Sequence, residues 1–142
     1  MIARKAVETI EFDKVGSYLK SHNLPTEDIK EPEVELYGFY EGNSLVGTGA
    51  IEHLQDCLLL RSVSVQSDKQ GIGLGKQIVE YLEALATELG MKDLYLLTEI
   101  PGYFQKLNYE AIERQNALDS IKNTNEFSIL CPDSAILMKK NW

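Results

Sequence analysis

The sequence predicts one α/β domain in which a mixed β-sheet is covered by helices. Two observations support this class: β-like segments come first along the chain, and strand–helix–strand units follow them. A third is the length of 142 residues without a linker, a repeat or a low-complexity tract, which is typical of a single domain. We therefore expect residues 1–142 to form one domain.

The first half of the chain predicts one helix and three strands. The helix covers Glu8–His22, and Asn23 follows it as a stop signal. Within this segment, Ile10, Val15 and Leu19 recur at helical spacing. Apolar, aromatic and β-branched residues predict the strands, which are Val34–Tyr40, Leu45–Ile51 and Cys57–Gln66.

The second half begins with the clearest helix, which Gly90 closes. Its apolar stripe consists of Leu74, Ile78, Leu82, Leu85 and Leu89. The remaining elements are strands at Leu94–Thr98, Tyr109–Ile112 and Ala135–Lys139 and short helical segments at Pro101–Leu107 and Ala117–Ile121.

Composition narrows the function classes. The chain carries 14 basic and 22 acidic side chains, a formal net charge of −8, which argues against binding nucleic acid or an anionic membrane surface. No apolar run approaches the roughly 18 residues that a membrane span needs. The N-terminus lacks the apolar core of a secretory signal, so we expect a cytoplasmic protein.

Cysteine and histidine are too few for a structural framework. Cys57 and Cys131 do not make a disulfide framework in a domain of this size, and His22 and His53 add no spaced zinc motif. We therefore expect no metal site.

The informative segment is Val63–Lys76, which joins a buried strand to the clearest helix and holds three alternating glycines. Glycine allows a positive φ and a close approach of the backbone to a ligand. Successive N–H groups at the start of a helix converge on an anion with the help of the helix dipole. The segment predicts a phosphate or diphosphate site; a merely close-packed turn is the alternative.

The glycine spacing excludes two nucleotide-binding motifs. Gly71-x-Gly73-x-Gly75 lacks the Gly-x-Gly-x-x-Gly rhythm of a dinucleotide-binding loop. A Walker loop needs four residues between its first glycine and its Gly-Lys pair, whereas three residues separate Gly71 from Gly75. In addition, Gln77 stands where that loop needs Ser or Thr.

Gln70, Gly73 and Gly75 fill the loop pattern Gln/Arg-x-x-Gly-x-Gly/Ala, and in this the chain resembles the GNAT superfamily of N-acetyltransferases. The run Tyr103–Tyr109 is similar to the family's Phe-Tyr-x-x-x-Gly-Phe segment, with Asn108 in place of the glycine. The resemblance implies a mostly antiparallel twisted sheet of about six or seven strands with a V-shaped splay between the central strands. It also implies direct acetyl transfer from acetyl-CoA to a small amine in a ternary complex, often by a homodimer.

The resemblance also implies the cofactor site. The backbone of Val63 and Val65 pairs with the pantetheine arm of CoA as an added strand would. The N–H groups of the loop hold the CoA diphosphate, and the residues concerned are Gln70, Gly71, Ile72, Gly73, Leu74, Gly75 and Lys76.

Two residues are candidates for proton transfer. Many family members protonate the leaving thiolate with a tyrosine in the short helix, but this chain has Phe104 at that position. Tyr103, one residue earlier, is either that acid or a packing aromatic. Glu99 ends a strand beside the splay and is either the base that takes the amine proton or a solvated carboxylate that caps the next helix. Glu52 is a weaker candidate for the base.

Arg61 and Thr98 are the candidates for substrate binding. Arg61 interrupts an apolar strand, and a buried arginine needs an anionic partner. That partner is either a substrate carboxylate, held bidentately, or an internal Asp or Glu. Period-two alternation places Arg61 on the face of Val63 and Val65 unless a bulge intervenes. Thr98 adjoins Glu99.

Two further segments, Leu96–Glu99 and Glu126–Ala135, are similar to the amino-acid branch of the superfamily, which is N-acetylglutamate-synthase-like and includes members labelled arsenic-resistance acetyltransferases. This implies an amino acid or an amino-acid analogue as acceptor. Cys131 is then a soft ligand for trivalent arsenic, a proton donor or a buried structural thiol. A non-catalytic acyl-CoA-binding sensor and a trivalent-arsenic-binding resistance protein stay open as alternative functions.

Overall fold

The computed structural model describes residues 1–7, 9–24, 26–124 and 135–142. Within these ranges the helices are α1 (Thr9–Ser21), α2 (Leu74–Glu88), α3 (Pro101–Gln105) and α4 (Asp119–Lys122), with short 3₁₀ turns at Ser67–Lys69 and Arg114–Asn116. The strands are β1 (Ile2–Lys5), β2 (Val34–Glu41), β3 (Ser44–His53), β4 (Leu58–Val65), β5 (Asp93–Thr98), β6 (Glu110–Ile112) and β7 (Ile136–Asn141).

The strands form one seven-stranded sheet in the order β1-β2-β3-β4-β5-β7-β6. Every neighbouring pair is antiparallel except β4 and β5, which run parallel. The predicted mixed, mostly antiparallel sheet with flanking helices is therefore confirmed. β1 was not predicted from the sequence, because this edge strand of four residues is largely exposed and shows no apolar alternation.

The sheet opens between β4 and β5. The two strands pair only at Leu59–Tyr95 and Leu60–Leu96, although β4 continues to Val65 and β5 to Thr98. The strands diverge beyond this short ladder, which is the V-shaped splay that the resemblance implies.

A β-bulge at Ser62 reverses the alternation of β4. Thr48 lies opposite Ser64 but Ala50 lies opposite Arg61, and Ser62 has a left-handed φ of 60°. Leu60 and Val63 consequently point to the same side of the sheet. Arg61 points to the other side, so the exception expected for a bulge applies, and Arg61 does not share the face of Val63 and Val65.

Helices cover both faces of the sheet. α2 packs on one face through Ile78, Val79, Leu82 and Ala86. α1 packs on the other face through Val15 and Leu19. Ile10 shares the helical spacing of these residues, yet it is 78% exposed and lies outside the core. No helix in the described ranges is long and apolar enough to cross a membrane.

α2 approaches β3 closely because β3 carries glycine where the two elements meet. A Cβ at Gly47 would lie 2.6 Å from Ile78 Cδ1 and 2.8 Å from the backbone oxygen of Ser64. The methyl group of Ile78 can move, but the strand oxygen of β4 is fixed by its ladder. Glycine at this position therefore sets the distance between α2 and the sheet.

We expect Gly47→Ala to lower the free energy of unfolding by about 1–3 kcal/mol, because the added methyl overpacks the core. Urea denaturation monitored by circular dichroism measures the change. Gly16→Ala, in α1, is the control: a Cβ at Gly16 makes an ordinary 3.6 Å contact with Ile29, and alanine favours the helix by about 0.5–1 kcal/mol. Equal stability of the two variants would contradict this account of the packing.

Candidate active site

The splay between β4 and β5 opens into a cavity of about 890 Å³. One wall is β4, the other is β5 with α3, and the glycine loop lies at one end. Most of the site residues predicted from the sequence line this cavity, namely Arg61, Val63, Val65, Gln70, Gly71, Gly73, Gly75, Lys76, Thr98, Glu99 and Tyr103. The side chain of Ile72 is exposed and that of Leu74 is buried, so only their backbone N–H groups fit the predicted role.

The glycine loop, residues 70–76, connects β4 to the start of α2. Gly71 has a φ of +83° and Gly73, the N-cap residue of α2, has a φ of +88°, both in the left-handed region that glycine tolerates. The first intrahelical hydrogen bond runs from Gln77 N–H to Gly73 O, at 3.1 Å, so the N–H groups of residues 73–76 have no partner within the helix. Free N–H groups at the positive end of a helix dipole are the arrangement that the predicted anion site requires.

The charge around this helix terminus also favours an anion. The first turn of α2 holds no Asp or Glu, and it includes Lys76, which lines the cavity. A diphosphate placed there would meet backbone donors and an ammonium group without a carboxylate in the same turn.

The backbone of β4 faces the opening. Gln66 N–H donates to Val46 O at 2.8 Å, so Val65, one position earlier, turns its N–H and C=O groups away from β3 and toward the splay. The Val65 oxygen accepts a hydrogen bond from Gln70 Nε2 at 3.1 Å and lies 3.1 Å from His22 Nε2. Gln70 thus holds the loop against β4, and the Val65 oxygen, one of the groups expected to pair with pantetheine, already has polar neighbours.

His22 was assigned no role from the sequence, yet it lines the cavity. Its ring stacks on that of Tyr18 with centroids 4.5 Å apart, and its Nδ1 lies 3.0 Å from the backbone carbonyl oxygen of Tyr18. Its only sequence signal is its place at the end of α1; its contact with Val65 spans 43 residues.

Arg61 is engaged by two carboxylates of the protein. Its guanidinium is fully buried and donates to both oxygens of Asp28, at 2.6 and 2.7 Å, and to Glu52 Oε1 at 3.0 Å. The internal Asp or Glu expected as one alternative is therefore the partner in this structure. Burial raises the pKa of the Glu52 carboxyl above its usual value, although Arg61 acts in the opposite sense.

Thr98, Glu99 and Tyr103 lie at the mouth of the splay. The Thr98 hydroxyl accepts a hydrogen bond from Ile100 N–H at 3.0 Å, which fixes the turn into α3. Glu99 is exposed at the rim of the cavity. Tyr103 reaches from α3 toward Gly75, whereas Phe104 is buried in the core with 6% exposure.

Part of one predicted motif lies outside the described residues. Glu126–Ala135 is described only at Ala135, which lines the cavity, so the three interpretations of Cys131 stay predictions. Over the described ranges, no group of three or more His, Cys, Asp or Glu side chains is arranged to hold a metal ion.

We expect Arg61→Leu to lower the free energy of unfolding by about 3–5 kcal/mol, because it leaves two buried carboxylates without their cation. Thermal and urea denaturation measure this loss. Lys5→Met is the control: Lys5 pairs with Glu35 at 3.1 Å but is 49% exposed, and the loss should stay within about 1 kcal/mol. A stable Arg61→Leu protein with a raised acceptor KM would instead assign Arg61 to the substrate.

Comparison with known proteins agrees with the cavity and the loop. Residues 5–109 match the family described as "Acetyltransferase (GNAT) family". An uncharacterized N-acetyltransferase of Chlorobaculum tepidum, CT2212, is 32% identical over 56 residues, which cover 39% of this chain and 36% of that protein. The chain thus spans about a third of the length of this relative.

Two solved structures share the fold. Rv2747 from Mycobacterium tuberculosis, solved with CoA and a second ligand, has a TM-score of 0.79 at 18% identity, covering 100% of this chain and 99% of its own. The N-acetylglutamate synthase from Neisseria gonorrhoeae, solved with CoA and N-acetyl-glutamate, has a TM-score of 0.76 at 12% identity, covering 99% of this chain and 34% of its own. The splayed sheet, the glycine loop and the match over residues 5–109 together show that the chain belongs to the GNAT acetyltransferase family.

Proposed function

We propose that residues 1–142 form one cytoplasmic N-acetyltransferase domain, which transfers the acetyl group of acetyl-CoA to a small amine. The observation that carries this proposal is the open edge of β4, which leads directly to the unpaired N–H groups at the start of α2. An extended ligand with an anionic end matches this arrangement, because the edge pairs with its chain and the helix terminus binds its phosphates.

The reaction needs little covalent participation by the protein. The neutral amine attacks the thioester carbonyl, the new C–N bond forms, and the C–S bond breaks to release CoA as a thiolate. The nitrogen loses one proton, and the thiolate gains one. The cavity supports this transfer by holding both substrates in one geometry between β4 and β5.

Glu99 is the proposed acceptor of the amine proton. Its place at the rim of the cavity, at the end of β5, lets an amine that enters from solvent meet the carboxylate before the thioester. Thr98, which is buried and bonded to the turn, fixes the direction of the chain there. Protonation of the thiolate has no assigned side chain, since Phe104 stands at the position of the usual tyrosine.

For the acceptor we propose an amino acid or an analogue. The sequence similarity of Leu96–Glu99 to the amino-acid branch supports it, as does the shared fold with the N-acetylglutamate synthase. Arg61 is not part of this proposal, because its guanidinium is held by Asp28 and Glu52. The homodimer expected from the resemblance also remains part of the proposal, and sedimentation velocity tests it.

A thiol-release screen with acetyl-CoA tests the activity. It compares amino acids with cationic amines that lack a carboxylate, and both sets with phosphinic and arsenical amino-acid analogues. Release with a compound of the first or third set supports the proposed acceptor, and release confined to the second set contradicts it. Tight binding of acetyl-CoA without release by any amine would indicate a sensor, the alternative that Phe104 favours.

We expect Gly73→Ala to weaken acetyl-CoA binding by about tenfold in isothermal titration, because a side chain opposes the left-handed N-cap that directs the N–H groups. Gly42→Ala is the matched control. Gly42 also has a positive φ, +60°, and open space around it, but it lies in the β2–β3 turn. Gly42→Ala should lower the free energy of unfolding by a similar amount and leave the affinity for acetyl-CoA unchanged. If the unaltered protein does not bind acetyl-CoA at millimolar concentration, the proposed function is wrong.

We expect Glu99→Gln to lower kcat about 100-fold or more, because the amide cannot accept the amine proton. Steady-state thiol release with the acceptor found in the screen measures kcat, and the Kd for acetyl-CoA should not change. Glu110→Gln, an exposed carboxylate on β6 outside the cavity, is the control and should keep full activity. An unchanged kcat for Glu99→Gln would leave Glu99 as a solvated carboxylate.

A further inference from the structure

The hydroxyl of Tyr103 lies against the first turn of α2. A Cβ at Gly75 would collide with this oxygen, would lie 3.2 Å from the ring carbon that bears it, and 3.6 Å from Val65 Cγ2. Gly75 has no positive φ, in contrast to Gly71 and Gly73. Glycine at position 75 is therefore required for space, and the group that occupies the space is the Tyr103 hydroxyl.

The ring of Tyr103 belongs to the cavity wall formed by α3, and its hydroxyl reaches across the cavity to α2. It stands edge-on to Phe104, with ring centroids 5.1 Å apart and planes at 90°, and Phe104 is anchored in the core. The side chain thus runs from α3 to α2, and it remains 37% exposed on the cavity side. This path directs the hydroxyl to the end of the cavity where the helix N–H groups converge.

The hydroxyl is available as a donor. Among the residues that the structure describes, the Tyr103 oxygen has no hydrogen-bond partner, and burial raises the pKa of Tyr103, so the phenol keeps its proton at neutral pH. A neutral phenol beside an anion site forms a charge-assisted hydrogen bond, which is stronger than a bond between neutral groups.

We propose that Tyr103 is a binding residue for the diphosphate of acyl-CoA, which its hydroxyl contacts together with the α2 N–H groups and Lys76. This inference rests on the proposed function, because it assumes that CoA occupies the cavity. It differs from the role of general acid expected from the sequence. A CoA with its diphosphate at α2 extends its pantetheine along β4, which carries the sulfur away from the Tyr103 hydroxyl.

Tyr103→Phe tests the proposal, because it removes the hydroxyl and keeps the ring. The Kd for CoA, measured by isothermal titration, should rise about tenfold. Desulfo-CoA, which keeps the diphosphate but lacks the thiol, should show the same rise, and kcat at saturating acetyl-CoA should change less than about twofold. Tyr81→Phe is the control, since Tyr81 is equally exposed at 37% but lies on α2 outside the cavity, and its Kd should not change.

Three results would overturn the proposal. A rise with CoA that vanishes with desulfo-CoA would place the hydroxyl at the sulfur. A lower kcat with unchanged Kd would restore the general acid. An unchanged Kd and kcat would leave Tyr103 as a packing aromatic. These outcomes differ from failure of the proposed function, in which the unaltered protein itself does not bind CoA.

A second variant tests the contact between Tyr103 and Gly75 directly. Gly75→Ala should weaken CoA binding about tenfold by displacing the hydroxyl, and should cost clearly less when it is added to Tyr103→Phe, where no hydroxyl is present. Gly102→Ala is the control, because Gly102 neighbours Tyr103 in α3 but has open space and no positive φ. Strictly additive losses for Gly75→Ala and Tyr103→Phe would contradict a shared role, and urea denaturation verifies that each variant is folded.

Discussion

The separation of β4 from β5 is the constraint on which the site depends. After the Leu60–Leu96 pair the two strands have no common ladder, so the edge of β4 beyond the bulge carries N–H and C=O groups that β5 does not satisfy. Buried backbone groups need partners, and an open strand edge is a template for an added chain. The Val65 oxygen already has polar neighbours in Gln70 and His22, whereas the rest of the edge faces the cavity. An extended ligand would therefore supply the hydrogen-bond partners that β5 does not give to this edge.

The bulge at Ser62 separates two environments along a single strand. On one side of the sheet, Val63 and Val65 pack toward the core under α2, beside the glycine loop. On the other side, Arg61 binds Asp28, which ties the segment between α1 and β2 to the centre of the sheet. Breaking such a buried ion pair costs more than its net contribution to stability, because the carboxylates left behind are out of water. These ion pairs therefore anchor β4, the strand that forms one wall of the cavity.

The sequence was sufficient for the features that depend on local pattern. The helical stripe of α2 as far as Leu85, the strands β2–β5 and the glycine loop all follow from periodicity and turn chemistry within short segments. The prediction of Leu89 as the last residue of that stripe is wrong, because Leu89 lies just beyond the helix and is 54% exposed. Three features were not predictable in that way. β1 is short and exposed. Ser62 adopts a left-handed φ, which a serine in a sequence does not indicate. Asp28, which binds Arg61, is 33 residues away from it. Each is decided by tertiary packing, and only the three-dimensional structure distinguishes the two alternatives for the partner of Arg61.

A protein with a net charge of −8 can still hold a diphosphate, because the relevant field is local. At physiological ionic strength, charges more than about 8 Å apart in solvent are largely screened, so the many surface carboxylates act weakly on the helix terminus. The N–H groups of residues 73–76, by contrast, lie at hydrogen-bond distance from any anion seated there, and Lys76 adds a positive charge in the same turn. The three glycines serve this field in two ways: Gly71 and Gly73 bend the backbone, and Gly75 leaves room for the Tyr103 hydroxyl. The acidic composition therefore argues against extended polyanions as ligands, whereas the local donors at the start of α2 remain suited to a small anion.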